Sequence, residues 1–211
     1  MIQAVIFDVG GVLVRTEDHN YRRRWEQKLG LAPGASEAIV FGDEMGTRAQ
    51  AGAISDEELW QWIGDHLELD EARLAQFRRD FWAGDVLDTE LADYVRSLRP
   101  AYQTAIISNF TDALRRKLTD VYPVADAFDL IVCSAEEQTM KPAPEIYKTT
   151  LEELGRQPAE TVFIDDSKPN VVAARQLGMH AIHYQASMDV PAALARFGIR
   201  PDQDVSPKEI S

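Results

Sequence analysis

The sequence predicts a doubly wound α/β fold: a parallel sheet with helices on both faces and a helical segment inserted near the start. Three observations carry this reading. Short, continuously apolar runs rich in β-branched residues recur along the chain. A helix-like stretch follows each of the later ones. Residues 16–84, between the first run and the rest, read as helix throughout. Continuous rather than alternating hydrophobicity marks strands covered on both faces, and strand–helix repetition marks a parallel sheet.

The elements follow in order. Ala4-Val5-Ile6-Phe7 is the first strand. In the insert, Ser55-Asp56-Glu57-Glu58 forms a capping box that opens Leu59-Trp60-Gln61-Trp62-Ile63. Leu74, Phe77 and Phe81 keep helical spacing on the next segment, with Pro33-Gly34 and Gly64 as expected breaks. The later strands are Thr104–Ile107, Leu130–Val132, Thr161–Ile164 and Ala181–Ile182. Helices are expected at Leu87–Leu98, Asp112–Leu118, Glu145–Leu154, Asn170–Leu177 and Pro191–Phe197. Gly155 and Gly178 fall where helix C-caps belong. The resulting division is residues 1–15 with 85–200 as an α/β core, 16–84 as the helical insert, and a polar, disordered tail over 201–211.

Composition narrows the function classes. The 211 residues are 45% hydrophobic and 27% charged, an ordinary globular balance. A chain this long buries about 70% of its unfolded surface, so the core needs no disulfide or metal staple. Twenty-two basic against 35 acidic residues leave a charge of −13, which disfavours a nucleic-acid partner. The apolar runs are too short to cross a membrane, and MIQAVIFDVGG lacks the basic start of a secretory signal. A single cysteine, Cys133, fits a reducing cytoplasm. Nothing here decides between a monomer and a homodimer.

Ligands of open α/β sheets bind beyond the carboxyl ends of the strands. The residues there are Asp8 after the first run, Ser108 and Asn109 after the second, and Asp165 and Asp166 after the fourth. The loop after the third run carries Lys141-Pro142. Converging carboxylates repel and raise one another's pKa values, a conflict that a hard divalent cation such as Mg²⁺ removes. Ser108, Asn109 and Lys141 offer the hydrogen bonds and positive charge that phosphoryl oxygens require. One carboxylate could then attack phosphorus to form an aspartyl phosphate. Singly, each residue is an ordinary turn former or helix cap; the ordered set is what carries meaning.

Phe7-Asp8-Val9-Gly10-Gly11-Val12-Leu13, Ser108-Asn109, Lys141-Pro142 and Phe163-Ile164-Asp165-Asp166-Ser167 resemble the four motifs of the haloacid dehalogenase (HAD) superfamily. The insert is similar to that superfamily's small helical cap. The resemblance implies a Rossmann-like HAD core, Asp8 as nucleophile, and Ser108 and Lys141 as stabilisers of the phosphate and the intermediate. Gly10, Gly11 and Asn109 join them in binding substrate. Mg²⁺ is expected on Asp8, the Gly10 carbonyl and Asp166, with Asp165 assisting. Gly42 through Ser55, ending Gly-Ala-Ile-Ser, resembles the branch of sugar-1-phosphate phosphatases and the amino-terminal phosphatase domain of soluble epoxide hydrolases. The expected activity is therefore hydrolysis of small phosphorylated metabolites, with sugar 1-phosphates preferred. The superfamily's usual acid two residues after the nucleophile is here Gly10, which has no side chain to donate a proton. A metal-independent dehalogenase, whose halide leaves without a proton, and a non-catalytic binding protein are the alternatives.

Other features read as structural. Trp60, Trp62, Phe77, Phe81 and Trp82 are expected in the core of the cap. Arg22-Arg23-Arg24 and Arg115-Arg116-Lys117 read as solvated helix faces, and His19 and His66 as solvated or structural. His180 and His183 point to opposite faces of a strand, so a shared metal is not expected. There is no P-loop, Gly-x-Ser-x-Gly elbow, zinc spacing or dinucleotide fingerprint.

Overall fold

The structure is a computed structural model and describes residues 1–201; the expected tail beyond Pro201 lies outside them. Five parallel strands form the central sheet: β1 (Ala4–Phe7), β4 (Gln103–Ser108), β5 (Leu130–Cys133), β6 (Thr161–Asp165) and β7 (His180–His183). Their order is β5-β4-β1-β6-β7, so β1 is central and the order of winding reverses beside it. Successive residues of β1 serve different cores. Val5 and Phe7 join one cluster with Leu98, Leu118 and Leu194, while Ala4 and Ile6 join another with Ile146, Leu151 and Val171. Burial on both faces is why these strands read as unbroken apolar runs.

The helices flanking this sheet are α6 (Thr89–Leu98), α7 (Leu114–Arg116), α8 (Ser134–Glu137), α9 (Pro144–Leu154), α10 (Lys168–Gln176) and α11 (Val190–Ala195). Gly155 ends α9 in the left-handed conformation at φ 64°, and Gly178 takes φ 91° just past α10. The insert holds α1 (Asn20–Leu29), α2 (Ala35–Glu37), α3 (Glu44–Gln50), α4 (Asp56–His66) and α5 (Glu71–Trp82). It has its own apolar cluster of Trp25, Leu59, Trp60, Ile63, Phe77 and Phe81. The capping box is present: Ser55 Oγ accepts from Glu58 N, and Ser55 N donates to Glu58.

Several expectations are corrected. The insert is bracketed by a two-stranded antiparallel ribbon, β2 (Val14–Thr16) with β3 (Asp85–Leu87), where the sequence reads helix. Three-residue strands are too short to show periodicity. Helix α6 accordingly starts after Asp88, whose side chain accepts from Leu91 N. Gly64 is no break; it lies inside α4, where a Cβ would press on Leu74. The stretch expected as one helix from Asp112 becomes α7 followed by a wider π-type turn over Lys117–Val121. A second such turn spans Ala38–Gly42. Finally, Arg22 is not solvated. Its guanidinium is buried, donating to the Phe81 carbonyl, to both oxygens of Asp85 and to Glu37.

Arg22 and Asp85 each keep only 7% side-chain exposure. Removing one member of a buried ion pair leaves an uncompensated charge and costs about 3–5 kcal/mol. Arg22→Met should lose about that much in chemical denaturation. Adding Asp85→Asn should recover part of it, because an amide tolerates burial without a counter-charge.

Candidate active site

The sheet order brings three strand ends together. Asp8 follows the central strand, with its N–H on the Ile164 carbonyl of β6 at 2.9 Å. Ser108 ends neighbouring β4, and Asp165 ends β6 on the other side. Lys141 reaches in between. Its Nζ lies 2.8 Å from Asp8 Oδ1, 2.8 Å from Asp165 Oδ2 and 2.8 Å from the Ile107 carbonyl. All three charged residues are buried.

Each is held by further contacts. Asp165 accepts from Ser167 N at 2.7 Å and from Asn170 Nδ2 on both oxygens at 3.1 Å, in addition to Lys141. Its lone-pair positions are therefore filled by donors, and it assists the site by fixing Lys141. Asn109, expected to bind substrate, lines the cavity but spends both ends of its amide on Lys141: Nδ2 donates to the Lys141 carbonyl and Oδ1 accepts from Lys141 N, each at 2.8 Å. Its side chain acts as a clamp on the Lys141 loop. Asp8 lines the cavity, and its Oδ1 also accepts from Val9 N at 2.7 Å, which leaves Oδ2 without a hydrogen-bond partner among the described residues. Ser108 is buried on the cavity wall.

The electrostatics follow from this packing. Burial pushes the Asp8 carboxyl up to about 7; the Lys141 ammonium opposes that and Asp165 reinforces it. Burial disfavours the Lys141 charge, but Asp8 and Asp165 outweigh it and hold this ammonium above its ordinary range. Asp166, at the open edge of the site, is raised by partial burial and by Asp165.

The turn after Asp8 is built by two glycines with different duties. Val12, Leu13 and Val14 all donate to the Val9 carbonyl, and Gly11 donates to Val14. Gly11 has φ +75°, and a Cβ there would run into the Asp166 carboxylate. Gly10 has nothing within 4 Å of a Cβ position, and its carbonyl takes no part in the turn's hydrogen bonds. Ligand oxygens of Asp8, Asp165 and Asp166 lie within 4.8 Å of one another. With all-oxygen donors, a free Asp8 Oδ2 and Asp166 facing it across Gly11, the set suits a small hard cation.

A family model for haloacid dehalogenase-like hydrolases matches residues 2–178. The chain belongs to that family. A D-ribitol-5-phosphate phosphatase of Bacteroides thetaiotaomicron is 26% identical over 202 residues, covering 90% of this chain and 95% of that protein. A sesquiterpene phosphatase of Aspergillus oryzae is 25% identical over 188 residues, covering 88% and 91%. A solved HAD family enzyme of Bacteroides thetaiotaomicron, in complex with magnesium and inorganic phosphate, superposes with a TM-score of 0.77 at 25% identity, covering 92% of this chain and 99% of that one.

The HAD core and the insert together enclose a cavity of about 680 Å³. Asp8, Gly10, Gly11, Ser108, Asn109, Lys141 and Asp166 line its floor, and His19, Arg22, Phe41, Gln50 and Trp82 line the side formed by the insert. Trp60, Phe77 and Phe81 are buried in the cap core as expected, and Trp62 and Trp82 pack against it, Trp82 lining the cavity as well. His66 stacks on Trp62 with ring centroids 4.7 Å apart, and His183 bonds the Asp166 carbonyl. Several cavity residues escaped the sequence reading, Lys117 and Tyr122 among them. Lys117, read as solvated, sits over the Trp82 ring with Nζ 3.4 Å from its centroid, and Tyr122 is buried on the same wall. The wider turn that places both has no signature in a helical pattern.

The raised Asp8 gives a pH prediction with a definite sign. A carboxyl whose folded pKa, about 7, exceeds its ordinary 3.8 favours the fold only while neutral. That contribution is complete below pH 3.8 and lost as pH rises through 7. In excess chelator, wild type should therefore lose stability relative to Asp8→Asn between pH 4 and 8, by at most about 1.4 kcal/mol per pH unit. Denaturant titrations of both proteins across that range measure it, and parallel profiles would refute it.

Proposed function

We propose that the protein is a Mg²⁺-dependent phosphohydrolase of small phosphorylated metabolites, working through an aspartyl phosphate. The observation that carries this reading is the buried Lys141, shared between Asp8 and Asp165, beside the free Asp8 Oδ2 and the open Asp166. Asp8, the Gly10 carbonyl and Asp166 would hold the magnesium ion, with Asp165 assisting through Lys141. The ion supplies positive charge to the phosphoryl oxygens and offsets repulsion among the carboxylates.

The chain's own residues do the rest. Asp8 Oδ2 attacks phosphorus, and the phosphorus–oxygen bond to the leaving group breaks as the acyl phosphate forms. The Ser108 hydroxyl holds a phosphoryl oxygen during transfer, and Lys141, whose three N–H bonds go to Asp8, Asp165 and the Ile107 carbonyl, contributes its positive charge beside the transferring group. Water then attacks the acyl phosphate, releasing phosphate and restoring the carboxylate. Residues 1–15 and 85–200 serve as the catalytic core, and 16–84 as a cap that encloses the substrate. The lone Cys133, buried with its thiol pushed up to about 11 by burial, is consistent with a cytoplasmic protein. Among the described residues no helix is long and apolar enough to cross a membrane.

The substrate is left open by kinship. The two relatives stand at 26% and 25% identity, yet one is a polyol-phosphate phosphatase and the other a sesquiterpene phosphatase. Anomeric sugar phosphates suit the chemistry because Gly10 supplies no acid and such leaving groups depart with less need of a proton. Phosphate release with Mg²⁺, against excess chelator, tests the function directly. Activity should vanish with chelator and fall by several orders of magnitude in Asp8→Asn. Full activity in chelator, with halide released from 2-haloacids, would instead favour the dehalogenase reading.

The role of Gly10 gives a separate prediction. Without a proton donor, log kcat/KM should depend steeply on leaving-group pKa, with aryl and anomeric phosphates outpacing those of simple alcohols. Because a Cβ at Gly10 meets nothing within 4 Å, the backbone there has room for a side chain to start, and Gly10→Asp is the direct test. It should raise rates on alcohol phosphates by about 10²–10⁴-fold and flatten the plot. A flat wild-type plot, with chemistry rate-limiting, would show that another group supplies the proton.

A further inference from the structure

The cavity far exceeds what a phosphate fills, and its walls away from Asp8 carry a specific set of groups. Four basic side chains line it: Arg15, Arg22, Lys117 and Lys141. Among the described residues three of these are in ion pairs, Arg15 with Asp88, Arg22 with Asp85 and Glu37, and Lys141 with Asp8 and Asp165. Lys117 has neither a carboxylate within ion-pair distance nor a hydrogen-bond acceptor; only the Trp82 and Phe110 rings approach its Nζ, at 3.4 and 5.9 Å from their centroids. Tyr122 is 8% exposed, and its Oη is buried with no hydrogen-bond partner. A buried hydroxyl without a partner is costly and uncommon in a folded protein.

The backbone joins the two residues in one turn on the cavity wall. Tyr122 N donates to the Lys117 carbonyl at 2.8 Å, an i to i+5 bond that closes the wider turn. Turns of this kind are rare and concentrate at functional sites. The other one among the described residues, Ala38–Gly42, is closed by Asp43 N on the Ala38 carbonyl and includes Phe41, which lines the same cavity. Both irregular turns thus serve one chamber, and each costs its helix regular bonding.

We propose that Lys117 and Tyr122 form a leaving-group subsite that receives an anionic oxygen group, a carboxylate or a second phosphoryl, carried on the substrate at a distance from the scissile phosphate. The ammonium and the phenol both present donors without acceptors, and an anion completes both. The aromatic faces of Phe41, Trp82 and Phe110 then enclose the body of the leaving group between this subsite and Asp8. The inference rests on the phosphohydrolase reading and narrows it from small phosphorylated metabolites to those bearing a second acidic group.

The test compares ligands that differ only at the far end: glucose 1-phosphate, glucuronic acid 1-phosphate and glucose 1,6-bisphosphate. Binding is measured by calorimetry with Mg²⁺ on the full chain carrying Asp8→Asn, which binds without turning over. At least one of the two acidic ligands should bind about tenfold or more tightly than glucose 1-phosphate, the size of one charge-assisted contact. Which of them does so tells carboxylate from phosphoryl. Adding Lys117→Met should bring that ratio close to one, and adding Tyr122→Phe, which keeps the ring and fold, should lower it severalfold. Equal binding of all three ligands, or a ratio unmoved by both variants, would overturn the subsite. Phosphate release by the wild-type protein is followed in parallel: absent turnover with the binding preference intact would count against the phosphohydrolase reading alone.

Discussion

The arrangement depends on one buried ammonium. Lys141 sits between two carboxylates that belong to adjacent strands, and without it Asp8 and Asp165 would be like charges buried side by side. Almost every neighbouring contact can be understood as keeping that ammonium in place. Asn109 grips the Lys141 backbone from the end of β4, the Ile107 carbonyl takes one of its protons, and Asn170 and Ser167 lock Asp165. The parallel sheet makes this possible because its order sets β4, β1 and β6 side by side with their carboxyl ends at one rim. Charge is nonetheless not balanced. Two buried carboxylates and Asp166 face one ammonium, and burial, reinforced by Asp165, keeps the Asp8 carboxyl raised. A cation and a phosphoryl group are the natural complements of such a centre.

Much of this was legible in the sequence because the constraints are local or strongly patterned. A strand covered on both faces must be apolar at every position, so Ala4–Phe7 announces itself, and the residue after it falls at the rim by geometry alone. The four motifs follow in order, and the residues they named line the cavity floor except Asp165, which is buried behind it. What escaped was set by tertiary contact. The β2–β3 ribbon is three residues long on each side, and its pairing joins positions some seventy residues apart (Val14 with Leu87). Arg22 looks like its neighbours Arg23 and Arg24 until Phe81, Asp85 and Glu37 are folded around it. Lys117 ends a basic run that a regular helix would leave in solvent; only the wider turn and Trp82 bring it inside. Gly64 reads as a punctuation mark and is a packing site.

The sequence also pointed to duties for Asn109 and Asp165 that the structure refines. Both are polar residues at strand ends, and composition cannot tell a group that touches a ligand from one that positions such a group. The difference lies in where the hydrogen bonds go. Asn109 spends its on Lys141, and Asp165 on Lys141, Ser167 and Asn170, whereas Ser108 and Asp8 line the cavity.

The insert is fastened at more than the ribbon that carries it. Asp56, at the head of α4, accepts from Thr111 Oγ1, and its N–H donates to Asp112 of the core. Ser134 donates to the Gln50 carbonyl, and Gly52 lies so close to the Ala135 carbonyl that a side chain would not fit. At the ribbon itself Gly84 is pressed equally close to the Asp18 carbonyl. These contacts tie the insert to the core away from the ribbon as well as at it, so any movement that uncovers the cavity has to break the Thr111–Asp56 and Ser134–Gln50 hydrogen bonds.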